Sequence, residues 1–226
     1  VRAVAGTEQP DEDIMTAMKR LLILLCLLAS AFAPVAIAAP SMAPDALVRD
    51  VTNEVLTIVR QDKAIQGGDT RRVLALVEEK VLPHFDFRRM TMLAVGRDWR
   101  NASPEQQQRL TEAFRTLLVR TYSNALTQYR DQTIDFRPFR AAEGETRVQV
   151  RTEVRQSGAQ PIGIDYMLER KDDDSWKVFD VIVAGVSLVT NYRSSFAEEV
   201  RNGGVDGLIR SIESKNRTLE AEQAKS

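Results

Sequence analysis

One stretch of the chain sets a histidine among acidic and basic neighbours. His84, the single histidine, stands two residues before Asp86, with Arg88 and Arg89 just beyond. An imidazole held by a carboxylate could act as a general acid or base, given a substrate within hydrogen-bond reach. The surrounding residues give these side chains local work instead. Pro83 stops a helix, because the residue before a proline avoids helical angles, and Asp86 is placed to cap the apolar run that follows. Asp172-Asp173-Asp174 gathers carboxylates but lacks the spacing of a calcium loop, and one histidine with one cysteine makes no zinc set. Gly185-Val186-Ser187 begins like a nucleophile elbow, but Leu188 and Val189 follow where the elbow needs another glycine, so Ser187 is read as a helix N-cap.

The elements that position these residues follow from periodicity. Asp45 is expected to cap a helix carrying Leu47, Val48, Val51, Val55, Ile58 and Val59, which Gln66-Gly67-Gly68 breaks. Asp69 caps a second helix with Val73, Leu74, Val77 and Val81 on one face. A third, short helix runs from Phe87 to Val95 and ends at Gly96. Ser103-Pro104-Glu105-Gln106 is a capping box with proline in the first turn. It opens a long helix whose stripe is Leu110, Phe114, Leu117, Leu118, Thr121, Tyr122, Ala125 and Tyr129.

From Thr133 the period changes to two. Thr133 to Arg140 reads as a first strand. Val148, Val150, Thr152 and Val154 then alternate with charged residues, and Ile162, Ile164, Tyr166 and Leu168 alternate with Asp165 and Glu169. Trp176 to Val183 makes a fourth strand, giving an antiparallel meander with one buried face. Two helices close the chain, separated by Asn202-Gly203-Gly204, and a polar tail from Arg217 is expected to fray. The fold class is α+β: a curved four-stranded antiparallel sheet covered by helices and enclosing an apolar cavity.

The start of the chain reads as an export signal. MKRLLILLCLLASAFAPVAIAA, from Met18, has a basic start, an apolar centre from Leu21 to Phe32, and a small-x-small pattern at Ala36-Ile37-Ala38. Residues 18–38 are therefore expected to be a signal peptide cleaved near Ala38, and residues 1–17 an upstream extension of the reading frame beyond the true initiator. Cys26 leaves with the signal, so the mature chain depends on neither disulfide nor thiol. Removing Arg2, Lys19 and Arg20 together with Glu8, Asp11, Glu12 and Asp13 leaves 28 basic and 28 acidic residues. That balance excludes the basic footprint of a nucleic-acid binder.

The run VLPHFDFRRMTMLAVGRDWRNASPEQQQRLTEAFRTLLVRTYSNAL, then FRPFR, VQVRTEV, DYMLER, DSWKVFDVIVAGVSLVTNYRSSF and GGVDGLI, resembles the MlaC family, also called the toluene-tolerance Ttg2D family. The likeness spans about Asp45 to Lys215, and residues 39–216 are read as its domain, with 217–226 as the tail. Ala184 departs from the family, where a glutamate is common before the GVS run; Met92 and Ala94 vary a loosely specified helix. The resemblance implies an NTF2-like fold and a monomeric periplasmic phospholipid shuttle that maintains outer-membrane lipid asymmetry. Its implied partners are phospholipid, an outer-membrane lipoprotein-porin complex, and an inner-membrane ABC-transporter complex with an MCE-domain subunit. No cofactor, metal, nucleic acid or enzymatic activity is implied.

On that reading the pocket takes the inward faces: Phe114, Leu118 and Tyr122 of the long helix; Val148, Val150, Val154, Ile164, Tyr166 and Leu168 of the sheet; and Val186, Val189 and Tyr192 beyond it. The short helix hung between Pro83 and Gly96 forms a lid or hinge, with Phe87, Met90 and Leu93 on its apolar side. The rival reading is an NTF2-like isomerase using Asp165, Tyr166 and Asp180 on a small hydrophobic substrate. Strand alternation turns Asp165 away from Ile164 and Tyr166, which counts against it. A fully packed adaptor protein is the third reading.

Overall fold

The computed structural model describes residues 42–223. The expected signal peptide, its cleavage point near Ala38 and the leader 1–17 lie outside these residues. Helix α1 spans Pro44–Gln61 with Pro44 in its first turn, where a missing N–H costs nothing. Ala43, not Asp45, occupies the N-cap position, so Asp45 only adds negative charge to the first turn. The chain breaks earlier than Gly67. Asp62 leaves helical geometry and its carboxylate accepts from the Ala64 and Ile65 N–H groups, starting a one-turn helix α2, Lys63–Gln66. Asp69 caps α3 (Thr70–Lys80) by accepting from the Arg72 N–H.

A 3-10 turn at Leu82–His84 follows, and then α4, Phe87–Val95. Asp86 caps α4 through the Arg89 N–H, and Gly96 ends it at φ 70°, a left-handed angle that favours glycine. The capping box of Ser103 and Gln106 forms in both directions and opens α5, Pro104–Tyr122. That helix stops short of the expected Tyr129, because Ser123–Leu126 tightens into a 3-10 turn.

The sheet has five strands in sequence order, all antiparallel: β1 (Thr133–Phe136), β2 (Arg147–Arg155), β3 (Ile162–Arg170), β4 (Trp176–Val183) and β5 (Val186–Ser187). The fifth strand was not expected. Ala184 and Gly185, both at positive φ, turn β4 back so that Val183 pairs with Val186. Ser187 therefore lies on a strand, although its Oγ does cap, accepting from the Thr190 N–H at the 3-10 turn Thr190–Tyr192. The expected alternation holds across β2 and β3, where Val148 faces Leu168 and Val150 faces Tyr166. On β4 a bulge interrupts it. The register moves from Met167–Asp180 to Leu168–Val178, so Val178 and Val181 share the inner face.

Helix α6 runs Arg193–Gln223 with a break at Gly204 (φ 66°, ψ −172°), which gives the two expected helical pieces. The expected fraying from Arg217 does not occur up to Gln223. Leu219 packs on the helical core, Arg120 pairs with Glu220, and the Gln223 amide donates to the Arg120 carbonyl. Three apolar clusters result. The largest joins α4, α5 and α6 around Phe114, Leu110, Leu208 and Ile209, each at or near zero exposure. A second lies between α1 and α3 around Val59, Ile65 and Val73, and a third joins the start of α1 to the sheet around Val150 and Leu168.

Candidate functional site

Between these clusters the structure is hollow. A cavity of about 520 Å³ lies between the inner face of the sheet and the helices α1, α3, α4 and α5. Its helical walls are Val48, Val51, Thr52, Val55 and Leu56 of α1, Val77 of α3, Phe87 and Met90 of α4, and Leu118, Val119 and Tyr122 of α5. Its sheet wall is Ile134, Val154, Ile164, Tyr166, Val178 and Val181, and the turns add Leu82, His84, Phe85, Ser123, Ala125, Leu126 and Leu188. Polar groups are few, and two of them are committed to protein partners. The Tyr129 hydroxyl donates to the Gln132 carbonyl at 2.7 Å and accepts from Arg60, while the Gln132 side chain accepts from the Arg130 N–H.

Of the residues expected in the pocket, Leu118, Tyr122, Val154, Ile164 and Tyr166 line the cavity, as do Phe87 and Met90 of the expected lid. The others do not. Phe114 is sealed in the helical core between Tyr192 and Phe196, at ring distances of 5.1 and 5.3 Å, and Val189 is fully buried in the same cluster. Val148, Val150 and Leu168 share the inner face of the sheet but are covered by Val48, Trp176 and Val178, so their end of the sheet is closed. Val186 is 53% exposed at the sheet edge. Leu93 packs on the helical core, and Pro83 and Gly96 only frame α4. The contribution of α1 and α3 was missed. Their stripes were visible, but spacing does not tell a residue facing a neighbour from one facing empty space.

The electrostatics leave little for proton chemistry. Burial, with Lys177 nearby, lowers the basicity of His84 at the cavity wall. Asp86 does not serve it: its carboxylate caps α4 and pairs with Lys171. Burial pushes the Asp86 carboxyl up, but Lys171 and the Arg89 N–H outweigh that and hold it below the ordinary carboxylate range. Asp180 is 7% exposed and is raised by burial; its oxygens accept from the Ser187 hydroxyl at 2.6 Å and the Val189 N–H. Asp165 accepts from the Gln149 amide. Neither Asp165 nor Asp180 lines the cavity with Tyr166, so the constellation needed by an isomerase is not assembled. No group of metal-ligating side chains occurs among the described residues, and no helix among them is long and apolar enough to cross a membrane.

The segment expected to form the lid is tied down at both ends. The Asp86 N–H donates to the Val178 carbonyl and the Lys177 ammonium to the Pro83 carbonyl, while Arg193 donates to the Leu93 carbonyl at the far end. These bonds fix α4 against the sheet on one side and against α6 on the other.

The sequence profile of the MlaC protein family matches residues 49–214. The chain belongs to the MlaC family. It is 36% identical over 107 residues to the toluene tolerance protein ttg2D of Pseudomonas putida, a match covering 47% of this chain and about half (49%) of that protein's length. It is 23% identical over 195 residues to the intermembrane phospholipid transport system binding protein MlaC of Haemophilus influenzae, covering 85% of this chain and 91% of that one. A solved structure, the phospholipid-binding protein of Ralstonia solanacearum in complex with a phospholipid, superposes with a TM-score of 0.73 at 38% identity. That superposition spans 79% of this chain and 99% of the other. The mixed fold of an open, curled antiparallel sheet and helices is thus shared with this phospholipid-binding protein.

Proposed function

We propose that this MlaC-family chain binds a phospholipid, its acyl chains in the cavity and its headgroup toward solvent. The observation that carries the reading is the cavity itself: a space of about 520 Å³ walled almost entirely by aliphatic and aromatic side chains. The Ralstonia solanacearum relative, crystallised with a phospholipid, supports it. The physics agrees. At about 0.8 kcal/mol per CH₂, an acyl chain of about sixteen carbons carries about 12 kcal/mol of transfer free energy, so a lipid leaves a bilayer only for a comparably apolar interior.

In this reading the chain is exported by residues 18–38 and works in the periplasm. It carries lipid between an outer-membrane lipoprotein-porin complex and an inner-membrane ABC-transporter complex with an MCE-domain subunit, maintaining lipid asymmetry in the outer membrane. The turns at Pro83 and Gly96 act as hinges for α4, whose Phe87 and Met90 close the cavity. Backbone-amide exchange across residues 81–100 should then slow on lipid loading; equal protection in both states rejects the hinge.

Lipid extraction and mass spectrometry of protein purified from the periplasm tests the central claim. Stoichiometric phospholipid is expected. Protein free of lipid, and unable to take it up from vesicles after delipidation, would sink the proposal.

A further inference from the structure

Three stretches run without a charged residue for longer than any others among the described residues. They are 121–129 and 156–164, of nine residues each, and 181–192, of twelve; the next longest, 90–96, has seven. The fold brings all three to one end of the cavity. Along the inner face of β3, exposure rises from 0% at Leu168 to 47% at Ile162, so the cavity is shut at the first and open at the second. The start of α4, bonded to Val178 beside Leu168, covers the shut end. At the open end Ile162 pairs with Val154, and Thr133, where the chain from α5 enters β1, pairs with the adjoining Arg155. The Gln132 amide donates to the Gln156 side chain there at 3.4 Å. On the other flank Val186 pairs with Val183, which pairs with Ile164. Of the residues lining the cavity, only Tyr122, Ala125 and Gln128 are exposed, and all three lie in the first stretch.

This end is apolar as well as uncharged. Four large apolar side chains are exposed among the described residues, and three of them, Tyr122, Ile162 and Val186, stand here, one in each stretch. The outer face of the same sheet is different, being laced with pairs such as Arg147–Glu169 and Arg155–Asp135. At the border of the uncharged end the neighbours Arg130 and Asp131 offset each other. A face with no charge to desolvate and with aliphatic and aromatic tips gains by entering the headgroup layer of a bilayer, where tyrosine is favoured. It offers a protein partner no complementary charge to fix a register. It also surrounds the opening through which acyl chains must pass, so chains delivered there go from one apolar phase to another without crossing water.

We infer that this uncharged end docks directly on a phospholipid bilayer, with the cavity opening toward the membrane, and that lipid enters and leaves there. This rests on the phospholipid-binding reading above. Because the face has no basic cluster, docking is expected to be insensitive to salt and to need no anionic lipid.

The test mixes delipidated protein with phosphatidylcholine vesicles, removes the vesicles at intervals by centrifugation, and quantifies protein-bound lipid by mass spectrometry. A parallel sample is loaded from mixed micelles of the same lipid and detergent. Ile162→Asp combined with Val186→Asp puts charge on the face without altering the cavity wall, to which neither side chain belongs. The double variant should load from vesicles about tenfold or more slowly than the wild type, yet load from micelles as fast and as fully. The wild-type rate from vesicles should be the same at low and high salt. Equal rates from vesicles for variant and wild type overturn the inference, as does equal slowing from vesicles and micelles, because the charges would then act on the cavity. A wild-type rate that falls steeply with salt also overturns it. Should the double variant fail to fold, Ile162→Asn alone must still slow loading from vesicles. A wild type that loads from micelles but not from vesicles overturns the docking alone and assigns the face to a protein partner, whereas one that loads from neither overturns the phospholipid-binding reading with it.

Discussion

Phe114 and Tyr122 lie on the same helix, α5, in opposite circumstances. Phe114 is completely enclosed, with Tyr192 and Phe196 edge-on against its ring; Tyr122 looks into a cavity. The same contrast divides the molecule. The half built from α4, α5 and α6 is close-packed around Leu110, Phe114, Leu208 and Ile209. The half built from α1, α3 and the sheet uses the same aliphatic residue types and leaves space between them. Close packing gains the dispersion contacts that hold one conformation, and a hollow forgoes them. The packed half is therefore where stability is concentrated, and the hollow half is where a ligand can supply the missing contacts.

The contrast is tested most severely by placing one substitution on each side of it. Val150→Lys and Ile164→Lys alter the same face of neighbouring strands, yet Val150 is 1% exposed in a closed cluster whereas Ile164 lines the cavity. Burying an unpaired ammonium at Val150 should cost more than about 4 kcal/mol and unfold much of the protein. At Ile164 the lysine has room to reach solvent, so the protein should stay folded by circular dichroism while co-purifying lipid falls at least about tenfold. Equal unfolding at both sites would erase the distinction between packed and hollow sheet.

Phe114→Ala comes next in size. Removing a ring from a packed core costs about 3–5 kcal/mol, which lowers the melting temperature by roughly 10 °C in a chain of this size. Tyr122→Ala opens no sealed core and should cost less than about half as much. Thermal melts of lipid-free protein make the comparison, and equal losses would mean that the cavity wall is as tightly packed as the core.

The sequence showed the helices of the packed half, though not the extent of α5 and α6 or the 3-10 turn Gly96–Asn101 between α4 and α5, because its signals are local. Ser103 and Gln106 cap α5, Asp86 caps α4, and the glycines at 96 and 204 end or break helices where left-handed angles are needed. The family resemblance pointed to the hollow half, but the residues alone could not outline it. Val148, Val150 and Leu168 alternate as regularly as Val154, Ile164 and Tyr166, and only the cover supplied by Val48 and Trp176 makes the first set core. Periodicity tells which face is apolar, not how much space lies beyond it. Strand β5 escaped notice for a related reason: two residues form no pattern, and the positive φ of Ala184 belongs to a residue type that does not advertise it.

The seam between the halves is marked by two carboxylates perturbed in opposite directions, and they give the smallest and most directional prediction. Asp86 joins the start of α4 to the sheet through Lys171, and its ionised form is favoured in the folded state. Its stabilising effect is complete above the ordinary carboxylate pKa of about 3.9 and is lost as pH falls through the lower folded value. Asp180 joins β4 to Ser187 and Val189, and burial favours its neutral form. It therefore weakens the fold as pH rises from about 3.9 through its raised folded value, and the penalty is constant above that. Asp86→Asn should accordingly cost about 1–2 kcal/mol at neutral pH, with the deficit shrinking on acidification. Asp180→Asn, whose amide can still accept from the Val189 N–H and donate to the Ser187 oxygen, should stabilise the protein by less than about 1 kcal/mol at neutral pH, and that gain should also vanish toward acid. Urea denaturation of the two variants and the wild type from pH 3.5 to 8 reads both signs, and a loss of stability in Asp180→Asn at neutral pH that shrinks toward acid would show that this side of the seam is held by the charge after all.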